Sequence, residues 1–203
     1  MPEKLVLERR KTAVLVVDMQ NAFIDPKGSL ARMGVPVARN SAPIPHISRL
    51  LEAARAAGVR VVHLQFVLRG DLGDLGALGK RFPPLRELKH CAEGSWDAAF
   101  YAGMEPKPGD YVIQKNRFSG FHGTPLDATL RCVGVDTVIV TGVATNVCVE
   151  CTVRDAFMRD YRVVVPRETT SAYSEEMEAA SMGAFGFMFA TVAGVDEVMA
   201  ALA

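Results

Sequence analysis

Five short apolar runs rich in β-branched residues, with helical patterns between them, set the tightest limit on what this chain folds into. They occupy residues 13–17, 59–66, 111–114, 137–142 and 161–165. A strand with one wet face alternates apolar and polar side chains, whereas these runs are nearly continuous, as in strands covered on both faces. Between them, apolar residues recur at helical spacing over 44–57, 124–133, 147–159 and 175–187. The first two patterns stop at Gly58 and Gly134, and glycine is the residue that most readily takes the left-handed position after a helix. Strand and helix in alternation imply crossover connections and a parallel sheet. The expected fold class is α/β, a three-layer α/β/α sandwich with a central, mostly parallel, Rossmann-like sheet. A length of 203 residues suits one domain over 1–203 and is short for two.

Residues 69–105 break the rhythm, with Gly, Pro, Asp and Lys scattered through them. A long irregular segment inside a compact domain is usually a lid, a binding loop or a subunit contact. Residues 195–202 read as a final short helix.

Lys plus Arg and Asp plus Glu number 23 each, so no overall field draws nucleic acid or an anionic membrane. No apolar run approaches the roughly 20 residues of a membrane-spanning helix. The start, MPEKLVLERRKT, is charged and lacks the apolar core of a secretory signal. These features predict a cytoplasmic protein with a small-molecule partner, and neither nucleic acid nor membrane. The four cysteines, Cys91, Cys132, Cys148 and Cys151, are expected as reduced thiols. Cys148 and Cys151 lack the second Cys pair or His pair of a structural zinc site.

In an open α/β sheet, ligands bind beyond the carboxyl ends of the strands. Those ends carry Asp18 and Gln20, then Gln65 and Phe66, then Lys115, then the turn 142–148. Cys148 follows that turn and opens the next helix, where unpaired N–H groups and the helix dipole favour a thiolate and can hold an oxyanion. Taken singly, each residue has an ordinary alternative: Cys148 as a small buried side chain, Asp18 as a cap, Lys115 as a solvated cation. Together they supply a nucleophile, a carboxylate that takes and returns a proton, and an ammonium that balances its charge.

Three ordered blocks, VVDMQNAF at 16–23, KNRFSGFHGTPLD at 115–127 and TGVATNVCVECTVRDA at 141–156, resemble the isochorismatase-like cysteine hydrolase superfamily over nearly the whole chain. GSWDAAF at 94–100 and GVATNVCVECTVRDAF at 142–157 look closest to its ureidoacrylate and peroxyureidoacrylate amidohydrolases. The resemblance implies an amidohydrolase that cleaves a linear C–N bond in a small ureido, carbamoyl or amide substrate through a thioester-type intermediate. It implies Asp18, Lys115 and Cys148 as the catalytic triad, a cis peptide between Val143 and Ala144, and an oxyanion hole from the N–H groups of Ala144 and Cys148. Gln20, Asn21, Phe23 and Trp96 are candidate pocket lining, and Arg117 is a candidate for a substrate carboxylate, its fork suiting that group. No cofactor and no metal are expected, since the second strand offers only His63. A homo-oligomer, dimer or tetramer, is expected from the family, with Met177, Met182 and Met188 among possible apolar contacts. The chain departs from the family in reading Arg167, Glu168, Thr169, Thr170 after the fifth strand, with no His beyond His122. Three alternatives stay open: an isochorismatase-type vinyl-ether hydrolase, a Cys–His hydrolase using His122 as base, and a non-catalytic member acting in assembly.

Overall fold

The structure is a computed structural model that describes residues 5–203. Its strands are β1 (Thr12–Val17), β2 (Arg60–Phe66), β3 (Tyr111–Lys115), β4 (Thr137–Val143), β5 (Arg162–Pro166), β6 (Thr170–Ser171) and β7 (Thr191–Ala193). They form one sheet in the order β3-β2-β1-β4-β5-β7, with β6 beside the end of β4, and every pairing is parallel. The expected α/β sandwich is therefore present. The first five strands lie where the apolar runs placed them; β6 and β7 were not foreseen, being too short to leave a readable run.

The continuous apolar character of β1 follows from its central place. Val14 and Val16 point into one core, while Ala13, Leu15 and Val17 point into the other. The first core is covered by α1 (Ile44–Ala56) and, at the C-terminus, by the last helix, Val195–Leu202. The second is covered by α2 (Leu126–Cys132) and α3 (Glu150–Phe157). A further helix, α4 (Glu175–Ala184), starts at Ser174, whose hydroxyl accepts the Met177 N–H at 3.2 Å; the Val195–Leu202 helix is α5. The pattern expected over 147–159 is entered through a wider, π-helical turn at Thr145–Val149, and that over 175–187 leaves through another at Phe185–Phe189. No helix among the described residues is long and apolar enough to cross a membrane.

The irregular stretch 69–105 holds two short helices, Gly76–Arg81 and Pro84–Glu87, and its end is stitched to the mouth of the sheet. Asn21 and Ala22 donate backbone N–H groups to the carbonyls of Ala99 and Asp97, and Tyr101 donates to Met19, each at 2.9–3.0 Å. These bonds bring residues distant in sequence to the carboxyl end of β1.

Gly142 ends the close approach of β4 to β1. It pairs with Val17 at φ +104°, and a Cβ there would overlap the Val17 carbonyl oxygen and lie 2.7 Å from its nitrogen. Both the left-handed backbone and the contact require glycine. Gly142→Ala is expected to cost about 3 kcal/mol or more, read as a lowered urea midpoint; an unchanged midpoint would contradict the packing described.

Candidate active site

Register fixes which side chains meet. Val17 pairs with Leu64 on one side and Gly142 on the other, and Phe66 pairs with Lys115. The residues leaving β1, β3 and β4 therefore converge at one rim. Asp18 turns the chain out of β1 with φ 51°, its N–H held by the Leu64 carbonyl at 3.0 Å, and it is wholly buried. Its Oδ2 accepts the Lys115 Nζ at 2.8 Å, and neither side chain of this pair is exposed. Lys115 also donates to the Arg117 carbonyl at 3.2 Å and sits 4.8 Å over the Phe66 ring, so the buried ammonium is surrounded by partners.

Cys148 lies in the turn that leaves β4. The Val143–Ala144 peptide is cis, and the Ala144 carbonyl accepts the N–H groups of Val147 and Val149. Thr152 Oγ1 donates to the Cys148 carbonyl at 2.7 Å and accepts the Gly120 N–H, while Thr145 and Thr170 share a hydroxyl bond at 2.7 Å. Cys148 is buried, and its thiol lies close enough to Asp18 to bear on that carboxyl's pKa. Asp18 Oδ1 is buried with no hydrogen-bond partner among the described residues.

Burial pushes the Asp18 carboxyl up from its ordinary value, an effect that Lys115 and the Cys148 thiol only partly offset. Burial works against the Lys115 ammonium, yet Asp18 outweighs it and holds that group charged. Burial, followed by the Asp18 charge, pushes the Cys148 thiol well above its ordinary range. This runs against the thiolate expected from the helix start. Desolvation and a carboxylate neighbour both disfavour the thiolate.

Cys148 and Ala144 form part of the wall of a cavity of about 180 Å³. Phe23, Phe82 and Phe118 line it with aliphatic Leu30, Met33, Leu78 and Leu85, and the polar additions are His90 and Tyr173. Burial, then Cys148 and Asp18, push the Tyr173 phenol up, so it stays a neutral hydroxyl. Among the described residues, no Lys or Arg is in this wall. A larger groove, about 780 Å³ around Arg39, Arg167 and α4, contains none of Asp18, Lys115 and Cys148.

Of the residues singled out as pocket lining, only Phe23 reaches the cavity. Gln20 is buried, its Nε2 donating to the carbonyls of Phe66 and Ala98 and its Oε1 accepting the Phe66 N–H. Asn21 donates to the Trp96 carbonyl at 2.8 Å, and Trp96 itself is half exposed. These three are thus spent on, or belong to, the stitching of the 94–101 segment. Arg117 lines an adjoining cavity of about 460 Å³ with Arg81, sharing Leu78, Phe82, Phe118 and Val147 with the first; its Nη1 donates to the Asp74 and Asn116 carbonyls. His122 is exposed in a separate groove beside Cys151, whose wall does not include Cys148. His63 is buried and bonded to Asp110 at 3.2 Å.

His90 and Tyr173 were missed, since nothing local marks them. His90, Cys91 and Asp97 have donor atoms within 4.8 Å of one another. The Asp97 oxygens, however, already accept the Ser29 N–H, the Ser29 hydroxyl and the Cys91 N–H, and burial pushes the Cys91 thiol well up. That donor set is poorly suited to a metal, which needs deprotonated, available ligands.

The isochorismatase domain model matches residues 12–197, over which the three blocks and the convergent strand ends all lie. The chain belongs to the isochorismatase family. It is 40% identical over 214 residues to the ureidoacrylate amidohydrolase RutB of Methylobacterium radiotolerans, covering 99% of this chain and 83% of the relative. RutB of Variovorax paradoxus is 39% identical, over 83% of this chain and 72% of that one. Among solved structures, a cysteine hydrolase from Pseudomonas syringae pv. phaseolicola superposes with a TM-score of 0.89 at 31% identity, covering 100% and 98% of the two chains. N-carbamoylsarcosine amidase from Thermoplasma acidophilum gives 0.72 at 30% identity, over 92% and 97%.

Proposed function

We propose that this isochorismatase-family chain is a cysteine amidohydrolase, a hydrolase of C–N bonds other than peptide bonds, acting on a small ureido, carbamoyl or amide compound. The observation that carries the proposal is the fully buried Asp18–Lys115 pair at 2.8 Å, set against Cys148 in the wall of a small apolar cavity. Amidohydrolase relatives at about 40% identity support it.

Cys148 gives its proton to Asp18 as sulfur attacks the substrate carbonyl carbon, so the thiolate exists only along the reaction coordinate. The carbonyl oxygen gathers negative charge between the N–H groups of Ala144 and Cys148; one such donor is worth about 10²–10³ in rate. Asp18 then protonates the departing nitrogen, the C–N bond breaks, and a thioester remains. Water, losing its proton to Asp18, attacks the thioester; the acid leaves and sulfur regains the proton. A carboxyl whose pKa is raised is better matched to giving and taking protons near neutrality than an ordinary one. Lys115 keeps its charge throughout and holds Asp18 in place.

The part of the substrate inside the cavity is uncharged, because an ion there would have no counter-charge in the wall. A substrate carboxylate would lie in the adjoining cavity, beside Arg81 and Arg117. A panel of ureidoacrylate, biuret, N-carbamoyl amino acids, nicotinamide and isochorismate, assayed with and without EDTA, tests the class. Ammonia or product release from a ureido or carbamoyl compound, unaffected by EDTA, is expected. Turnover of isochorismate alone, or silence on every amide and ureide, would contradict it.

A further inference from the structure

Among the described residues the wall of the reactive cavity contains one imidazole, and its surroundings fix which nitrogen carries hydrogen in the neutral ring. His90 Nδ1 is 2.6 Å from Ser29 Oγ, and Ser29 Oγ is 2.7 Å from Asp97 Oδ2. Burial alone would raise Asp97, but His90, whose Nδ1 is 3.6 Å from Oδ2, with the Cys91 N–H and Ser29, holds its carboxyl below the ordinary value. Asp97 is therefore an acceptor, and the single hydroxyl proton of Ser29 goes to it. Ser29 Oγ then has only lone pairs to offer the ring, so His90 Nδ1 carries a proton and donates. In the neutral ring this leaves Nε2 as a bare acceptor.

The ring is also held in orientation. Phe23 meets it edge to face at 5.5 Å and 88°, and Phe66 lies 5.8 Å away. His90 lines the cavity, its Nδ1 is engaged by Ser29, and Nε2 makes no hydrogen bond among the described residues. Phe23, Leu30, Met33 and Leu85 line the same cavity, so the wall around an imidazole acceptor is largely apolar. Asp97 Oδ1 accepts the Ser29 N–H, which ties Asp97 to the Ser29 backbone as well as to its hydroxyl.

We infer that His90 is a substrate-binding residue whose Nε2 accepts a hydrogen bond from an N–H of the amide or ureido group held over Cys148. This rests on the amidohydrolase assignment and narrows it to substrates bearing such an N–H. A site built around a buried acceptor rejects analogues that lack the donor, because the acceptor is then left unpaired. Ser29 and Asp97 act through the ring, as positioning residues.

The test uses the full chain carrying Cys148→Ala, which binds without turnover, with propylurea and 1-propyl-1,3,3-trimethylurea, which has no N–H, as probes. Propylurea is expected to bind about tenfold more tightly than the trimethyl compound and to shift the Nε2 signal of ¹⁵N-labelled His90. His90→Asn keeps a donor near the Nδ1 position for Ser29 but has nothing at Nε2. It should lose about tenfold in propylurea affinity and leave the trimethylurea unchanged; His90→Gln, with a carbonyl oxygen near the Nε2 position, should recover part of the loss. Equal losses for both ureas would mean that His90 serves only packing, and would overturn the inference, as would an unmoved ¹⁵N signal or no binding of either urea. The two proposals fail separately: wild type that hydrolyses ureides with no His90-dependent discrimination overturns the inference alone, and His90-dependent binding without hydrolysis by wild type overturns the amidohydrolase assignment.

Discussion

Cys148→Ala is expected to lower kcat on the responsive amide or ureide by about 10⁴-fold or more, leaving a folded protein. Losing the nucleophile of a covalent mechanism removes both chemical steps together, and the residual rate comes from binding and oxyanion stabilisation alone. The change removes one sulfur from the wall of an existing cavity, so the expected cost in stability is about 1 kcal/mol. Cys148→Ser is expected to be nearly as inactive, because a hydroxyl is a far weaker acid than the thiol and Asp18 must take its proton. A kcat within tenfold of wild type in either variant, with full-length folded protein confirmed by its thermal midpoint, would remove Cys148 from the chemistry.

Asp18→Asn is expected to be nearly as severe, for two separable reasons. It removes the group that takes and returns the proton, worth about 10²–10⁴ in rate. It also leaves the Lys115 ammonium, fully buried, without its counter-charge, which typically costs about 3–5 kcal/mol of stability. Pairing Asp18→Asn with Lys115→Met separates the two: stability should return and activity should not. If the double variant recovered activity, Asp18 would be a scaffold rather than a proton carrier. The pH profile gives a further reading. Asp18 works as a base only when ionised, and its pKa stands above the ordinary 3.8 because of burial. Wild-type kcat/KM should therefore fall as pH drops through a value above 3.8, and that acid limb should vanish in Asp18→Asn.

The strands and the three central residues were legible because both follow from local pattern. A buried central strand must be apolar on both faces, as β1 is, and in such a sheet the residues just past the carboxyl ends must face one another. That argument alone brought Asp18, Lys115 and Cys148 to one place. It failed for Gln20 and Asn21, which follow the same strand end but turn to the backbone of residues 66 and 96–98. A polar side chain at a rim is as readily claimed by an unsatisfied carbonyl as by a ligand. The burial that raises the Cys148 thiol was not legible, because a helix start is visible in sequence and desolvation is not. His90 was invisible for a third reason. It sits in the aperiodic 69–105 stretch, and it reaches the cavity only through long-range bonds, such as those of Ser29 to Asp97 across 68 residues.

The central claim is that Cys148 becomes acylated during turnover. Rapid acid quenching of wild type with its best ureido or amide substrate, followed by peptide mass spectrometry, tests it most directly. The mechanism predicts a transient mass increase, equal to the acyl portion, on the peptide containing Cys148, absent in Cys148→Ala and enriched when the water step is slowed. Steady turnover with no adduct on that peptide at any quench time, together with activity surviving in Cys148→Ala, would contradict it.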